Sequence, residues 1–221
     1  MTLHLFYKEW LKTKWFVLAS LVLGIGTILY AFIGLNSNII NAEGGSQYVF
    51  EWFTRGGRPH YGIFQNIPFI IALLIGVSQY LPEVLQKRIK LTLHLPLNEI
   101  VMLYTMVLYG FLVILGLVVI FMVVFFLIDL YFFPGEMHLM AIKAFIPCIL
   151  GGFATYFFVA MIAMEPGWKF RFLYAIVVYY LLDIFLLGGD MSDLYLLLVV
   201  ILVIASLGMI YTANRFKIGE N

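Results

Sequence analysis

Apolar positions fall into six long runs, at about residues 15–35, 63–81, 100–130, 142–164, 172–187 and 194–213, separated by short polar segments. A helix crossing a hydrocarbon core about 30 Å thick needs roughly 20 apolar residues. The pattern therefore predicts an all-α polytopic membrane protein with six transmembrane helices in a single domain over residues 1–221. The third run is longer than one upright crossing, which predicts tilt or an extension beyond the bilayer. The first run is too long for the core of a signal peptide, and no small-residue cleavage site follows it, so it reads as the first span.

Three segments between or before the runs carry a second pattern. Over Thr2–Lys14, Leu3, Phe6, Tyr7, Trp10 and Leu11 recur at helical spacing with Lys8, Glu9 and Lys12 between them. That spacing predicts a short N-terminal helix lying in the membrane interface, with Trp10 and Trp15 at headgroup depth. The loop from Asn36 to Tyr61 holds Gly44-Gly45 and Gly56-Gly57 around a Tyr- and Phe-containing middle, and is too short for a domain of its own. The segment Pro82–Asn98 opens with a proline suited to a first helical turn and reaches a second proline, Pro96, that ends a helix. Val84, Ile89 and Leu93 share one side of it, while Lys87, Arg88 and Lys90 cover the others, which predicts an amphipathic helix between spans two and three.

Charge orients the chain. With the N-terminus in the cytoplasm, the inner segments hold Lys8, Lys12, Lys14, Lys87, Arg88, Lys90, Lys169, Arg171, Arg215 and Lys217, and the outer ones hold Arg55, Arg58 and Lys143. The bias is 10 to 3, as the positive-inside rule requires, and an even number of spans puts both termini inside. Composition agrees: 64% of residues are hydrophobic and 11% charged, against nearer half and a quarter in soluble domains. The net charge of +1 points to no nucleic acid or acidic partner, and the single cysteine, Cys148, excludes an intramolecular disulfide.

Catalytic chemistry is sparse. His4, His60, His94 and His138 all fall at or beyond the predicted span edges, and neither a His-Glu-x-x-His pair nor a phosphate-binding Gly-x-x-x-x-Gly-Lys loop occurs. Ser78 has no histidine at its depth and reads as a packing serine. Acidic residues within spans are costly and often functional, which singles out Asp129 and Asp183. Counting rise from Arg171 puts Asp183 roughly 18 Å along span five, in its outer half, with Asp129 near the outer end of span three. Each is a candidate for a proton relay or substrate path, or for ordinary placement at the interface. Pro68 and Pro147 sit within the second and fourth runs, with Gly151-Gly152 a turn after Pro147. Such positions either bend during gating or pack statically.

Glu83, following span two, and Leu93-His94-Leu95-Pro96-Leu97, entering span three, resemble the membrane permease subunits of ABC transporters of the type-2 exporter class. Those subunits have an N-terminal interfacial helix, six spans and a cytoplasmic coupling helix between spans two and three. Two features differ from the family's pattern. Asn98-Glu99 stands where a basic residue is common, and Gly188–Asp193 is too short for a helical hairpin. The resemblance implies a dimer of permeases, identical or paralogous, in a bacterial inner membrane. It would dock on separate ABC ATPase subunits that bind ATP-Mg, and Glu83, Lys87, Arg88 and Lys90 would carry the coupling. No cofactor, metal or catalytic residue is implied for this chain. From the residues alone, the 82–96 helix suits protein docking and anionic lipid equally; the resemblance favours docking. A non-transporting scaffold or assembly factor and, more remotely, a six-span intramembrane enzyme stand as alternatives.

Overall fold

The computed structural model describes residues 2–41, 62–85, 99–132, 135–187 and 194–218. Among these, six α-helices account for nearly everything and no strand occurs: α1 (Thr2–Asn41), α2 (Ile67–Leu85, entered through a 3-10 turn at Phe64–Asn66), α3 (Glu99–Phe132), α4 (Gly135–Met164), α5 (Trp168–Leu187) and α6 (Tyr195–Ile218). Five of them hold a stretch long and apolar enough to cross a membrane: His4–Gly34, Phe64–Leu85, Met102–Leu130, Ile142–Met164 and Tyr195–Phe216. α5, which covers the fifth predicted run, carries Lys169, Arg171 and Asp183 and is not one of the five.

The surface is the apolar part of the molecule. Trp15 is 69% exposed and Leu196 77%, and α1, α3, α5 and α6 each present a row of bare aliphatic and aromatic side chains. A soluble monomer rarely exposes apolar patches beyond a few hundred square ångströms. With the backbone satisfied inside helices, this is the construction of a multi-pass membrane protein.

Three elements differ from the sequence expectation. The N-terminal segment is not a separate interfacial helix: α1 runs unbroken from Thr2 to Asn41. The chain has no proline or glycine between Thr2 and Gly24, so nothing interrupts the hydrogen-bond ladder where a bend was expected. Pro82 does not open a new helix either; α2 continues through it to Leu85. Pro68 is not within the span's ladder but is the second residue of α2, where a missing N–H costs little. Pro147 does lie inside a helix, α4, and is buried there.

Contacts fix the helix directions. Thr13 meets Tyr109 and Phe32 meets Phe125, so α1 and α3 run parallel. Lys12 meets Glu83 while Phe64 lies on Phe125 at the far end, so α2 runs the other way. Gly152 faces Pro68 and Gly76 faces Val159, making α2 and α4 parallel. Tyr195 reaches the Lys143 carbonyl and Arg215 reaches Glu165, making α4 and α6 parallel. α4 is the central post, packed against α2, α3, α5 and α6. Glycine permits its closest approach: a Cβ at Gly152 would stand 2.9 Å from the Pro68 Cβ and 3.0 Å from its carbonyl oxygen. Small residues of this kind let membrane helices gain dispersion energy at short range.

The two ends of the bundle differ in chemistry. At one, Phe64, Phe125 and Phe145 form an aromatic plug with ring centroids 5.0 to 5.3 Å apart, and Phe32 packs on Phe125 at 5.4 Å. At the other, the helices are joined by buried ions.

Candidate functional site

The ion end begins with α1. Lys8, Glu9, Lys12 and Thr13 fall within two turns, and Glu9 and Thr13 share one face at i, i+4 spacing. That face is turned into the bundle: Glu9 is 2% exposed and Thr13 fully buried, while Tyr7, Trp10 and Leu11 face outward. Glu83, in the last turn of α2, is buried beneath it. The Lys12 ammonium donates to Glu9 at 2.7 Å and also to Glu83; Lys8 pairs with Glu83 at 3.1 Å. Among the described residues, two cations and two carboxylates thus form a neutral unit across α1 and α2. Neutrality is what makes the burial tolerable, since an unpaired ion out of water costs several kcal/mol. One carboxylate oxygen, Glu9 Oε2, is buried without a hydrogen bond.

Neutral polar groups continue the unit inward. Thr13 Oγ1 donates to the Glu9 carbonyl at 3.0 Å, leaving the Tyr109 hydroxyl to donate to Thr13 at 2.5 Å. One layer deeper, Gln79 Nε2 donates to the Met106 carbonyl at 2.7 Å, Tyr156 donates to Gln79 Oε1 at 2.9 Å, and Tyr80 donates to the Tyr156 oxygen at 2.9 Å. This chain ends on a backbone carbonyl, so it conducts no proton onward; it fixes α2, α3 and α4 at one height. Gly110 opens the space it fills, since a Cβ there would collide with the Tyr156 hydroxyl and stand 2.7 Å from Gln79 Oε1. Removing the hydroxyl in Tyr156→Phe strands Gln79 Oε1 in the core, and each orphaned polar group costs about 1–3 kcal/mol. A lowered melting temperature in detergent is the expected result, with helix content at low temperature unchanged.

A second ion pair closes the same end between α4 and α6. Glu165 follows the last turn of α4, is fully buried, and accepts from Arg215 at 2.9 Å. Arg171 Nε caps the α4 terminus by donating to the Glu165 carbonyl at 2.6 Å. Arg215 lies over the Phe170 and Tyr211 rings at 5.5 and 5.9 Å, adding cation–π attraction.

Of the residues singled out from sequence, Glu83 joins this cluster, bound by α1. Lys87, Arg88 and Lys90, with the rest of the segment to Pro96, lie outside the described residues. Asp129 is buried in α3, well away from the ion end. Pro68 and Pro147 belong to the packed core around α4. Asp183 is exposed on α5. Ser78 donates to the Ile75 carbonyl at 2.9 Å, as a packing serine does. Sequence reasoning missed Glu9, Lys12, Tyr109, Gln79, Tyr156 and Glu165. The available signal was weak: Glu9 and Lys12 alternate with apolar residues in a segment expected to lie in the membrane interface.

The void between α2, α3 and α4 is about 10 Å³, and the larger depression, about 370 Å³, lies open on α1 at His4, Tyr7 and Lys8. Among the described residues no group of three or more His, Cys, Asp or Glu side chains could hold a metal. Fold and site together define an all-helical, multi-pass membrane protein with one end stapled by buried ion pairs. The chain matches no family model, no curated protein and no solved structure.

Proposed function

We propose that the chain is the permease subunit of an ATP-driven exporter of the ABC type-2 class. In this reading α5 is a sixth span, both termini are cytoplasmic, and two copies or paralogues enclose the substrate path. The observation that carries it is Glu83. The carboxylate sits where α2 enters the basic 86–98 segment, and Lys8 and Lys12 fasten it to α1. A push delivered to that segment by an ATPase is therefore transmitted to α1 and α2 together. The alternating helix directions favour six crossings, and the ion end coincides with the basic segments that the positive-inside rule keeps in the cytoplasm. The tight packing between α2, α3 and α4, where the void is about 10 Å³, also favours a path between subunits.

The test is co-purification from mild detergent. A Walker-motif ATPase should accompany the chain, and Lys87→Glu with Arg88→Glu should lower its recovery several-fold without loss of helix content. Recovery unchanged by the double reversal removes those residues from coupling. Tight packing of α2, α3 and α4 suits a non-transporting scaffold as well, and a complex purified intact with no ATPase in it decides for that reading.

A further inference from the structure

The open depression on α1, about 370 Å³, is lined by His4, Tyr7, Lys8, Leu11 and Lys12. Spaced i, i+3, i+4, i+7 and i+8, they form one stripe of the helix, roughly 12 Å long. A volume of that order is what small-ligand sites occupy, and the ion cluster uses only its bundle side. Among the described residues, Lys8 gives one of its three protons to Glu83, and Lys12 gives two, to Glu9 and Glu83. Both carboxylates are buried, whereas the Lys8 side chain is 36% exposed. The carboxylates therefore stand behind the ammoniums, and the depression meets the positive end of each pair. The exposed His4 imidazole and Tyr7 hydroxyl add donors along the same stripe.

Height identifies what meets those donors. Gly76 faces Val159 on the parallel helix α4. Glu83 and Glu165, seven and six residues further on, thus lie at one level, and the exposed Trp168 marks the same layer. Tryptophan and lysine gather at the headgroup level of a bilayer, so the depression opens where lipid phosphates lie. Towards the middle of the bundle the stripe continues as Trp15, Leu18 and Val22, all exposed and all apolar. A free phosphate has no use for that continuation; a lipid tail does. We propose that the depression binds the headgroup of an anionic phospholipid from the adjoining leaflet. Lys8, Tyr7 and His4 donate to its phosphate, and an acyl chain runs along Leu11, Trp15 and Leu18. Held between that phosphate and Glu83, the Lys8 ammonium is fixed in place, so the lipid tightens the joint between α1 and α2. The site requires only that the ion end stands at a membrane face, and it is independent of whether an ATPase is bound.

Native mass spectrometry and thermal melts of the purified full chain in non-ionic detergent test it. The probes are phosphatidylglycerol, phosphatidylcholine with the same chains, and inorganic phosphate. Phosphatidylglycerol should bind saturably and raise the melting temperature, and phosphatidylcholine should bind about fivefold more weakly, the worth of one charge at a membrane surface. His4→Glu with Tyr7→Glu puts two negative charges on the rim, away from the ion cluster. That double variant should weaken phosphatidylglycerol about twentyfold and abolish its thermal effect, with the lipid-free melting temperature unchanged. Tyr211→Glu, exposed at the same end but on α6, should bind as the parent does. Tyr7→Arg, which adds a cation at the same place, should tighten binding about fivefold and keeps the test decisive if the double variant misfolds. Equal retention of the two lipids, a double variant that binds like the parent, no gain from Tyr7→Arg, or displacement of the lipid by inorganic phosphate at equal concentration overturns the proposal.

Discussion

Replacing Lys12 by methionine is expected to be the most damaging single change at the ion end. The substitution keeps the length of the side chain and removes the one cation among the described residues that touches both Glu9 and Glu83. Two carboxylates are then left in a protein interior with Lys8, half out of the cluster, as the remaining counterion among the described residues. Breaking a buried pair from one side costs about 3–5 kcal/mol, far more than the pair contributes over a well-packed apolar replacement. The asymmetry yields a sharper test. Lys12→Met alone should lose most folded protein on mild heating in detergent. Lys12→Met with Glu9→Gln and Glu83→Gln, which removes the stranded charges, should recover a large part of it. A single variant as stable as the parent would show that the cluster is solvated and that α1 is not fastened to α2.

The second large effect is expected at Gly110. Valine there would drive a branched side chain into the Tyr156 hydroxyl and the Gln79 amide. Overpacking a core costs about 1–3 kcal/mol, and the displaced hydrogen bonds add a similar amount for every group left unpaired. Gly152 and Gly76 bring α4 and α2 together at close range, so relief would require α3 to move away from both. Gly116, on the same helix with open space around its Cα, is the control: Gly116→Val should be near neutral. Thermal melts of the two variants against the parent separate collision from helix propensity. If both lose the same amount, the polar layer is not tightly packed.

How much of this was readable in advance follows from what each signal depends on. The spans were legible because hydropathy is a property of the chain itself. The fourth run, 142–164, coincides with the apolar stretch of α4, and the sixth begins one residue from α6. The continuity of α1 was not legible, because an amphipathic turn followed by an apolar one looks the same whether the chain bends at Lys14 or continues straight. The inward direction of Glu9 was hidden for a related reason. In Lys8-Glu9-x-x-Lys12-Thr13 the polar face is plain, but periodicity does not say whether that face meets water or other helices. Glu83 was marked by its position and not by its partners, which lie some seventy residues away in sequence. Tyr156 and Gln79 were unreadable, since a tyrosine within a span is ordinary until a glycine on another helix makes room for its hydroxyl. The depth of Asp183 needed a neighbour as a ruler: Phe185, two residues further on, lies beside Gly151 of α4.

The parallel pairing of α4 with α2 and α6 has a consequence for how the molecule is made. Helices adjacent in the chain are not the ones that pack most extensively, so inserting hairpins one after another does not assemble the bundle. A nascent chain that has delivered α1, α2 and α3 holds its ionic staple but lacks the post on which α2 closes. Until residues 135–164 leave the ribosome, Gln79 and Tyr80 have no Tyr156 to meet, and a polar face stays open to lipid. Chaperones and proteases of the membrane would recognise that intermediate. Chains truncated after α3 should therefore be degraded quickly, and those truncated after α4 should persist.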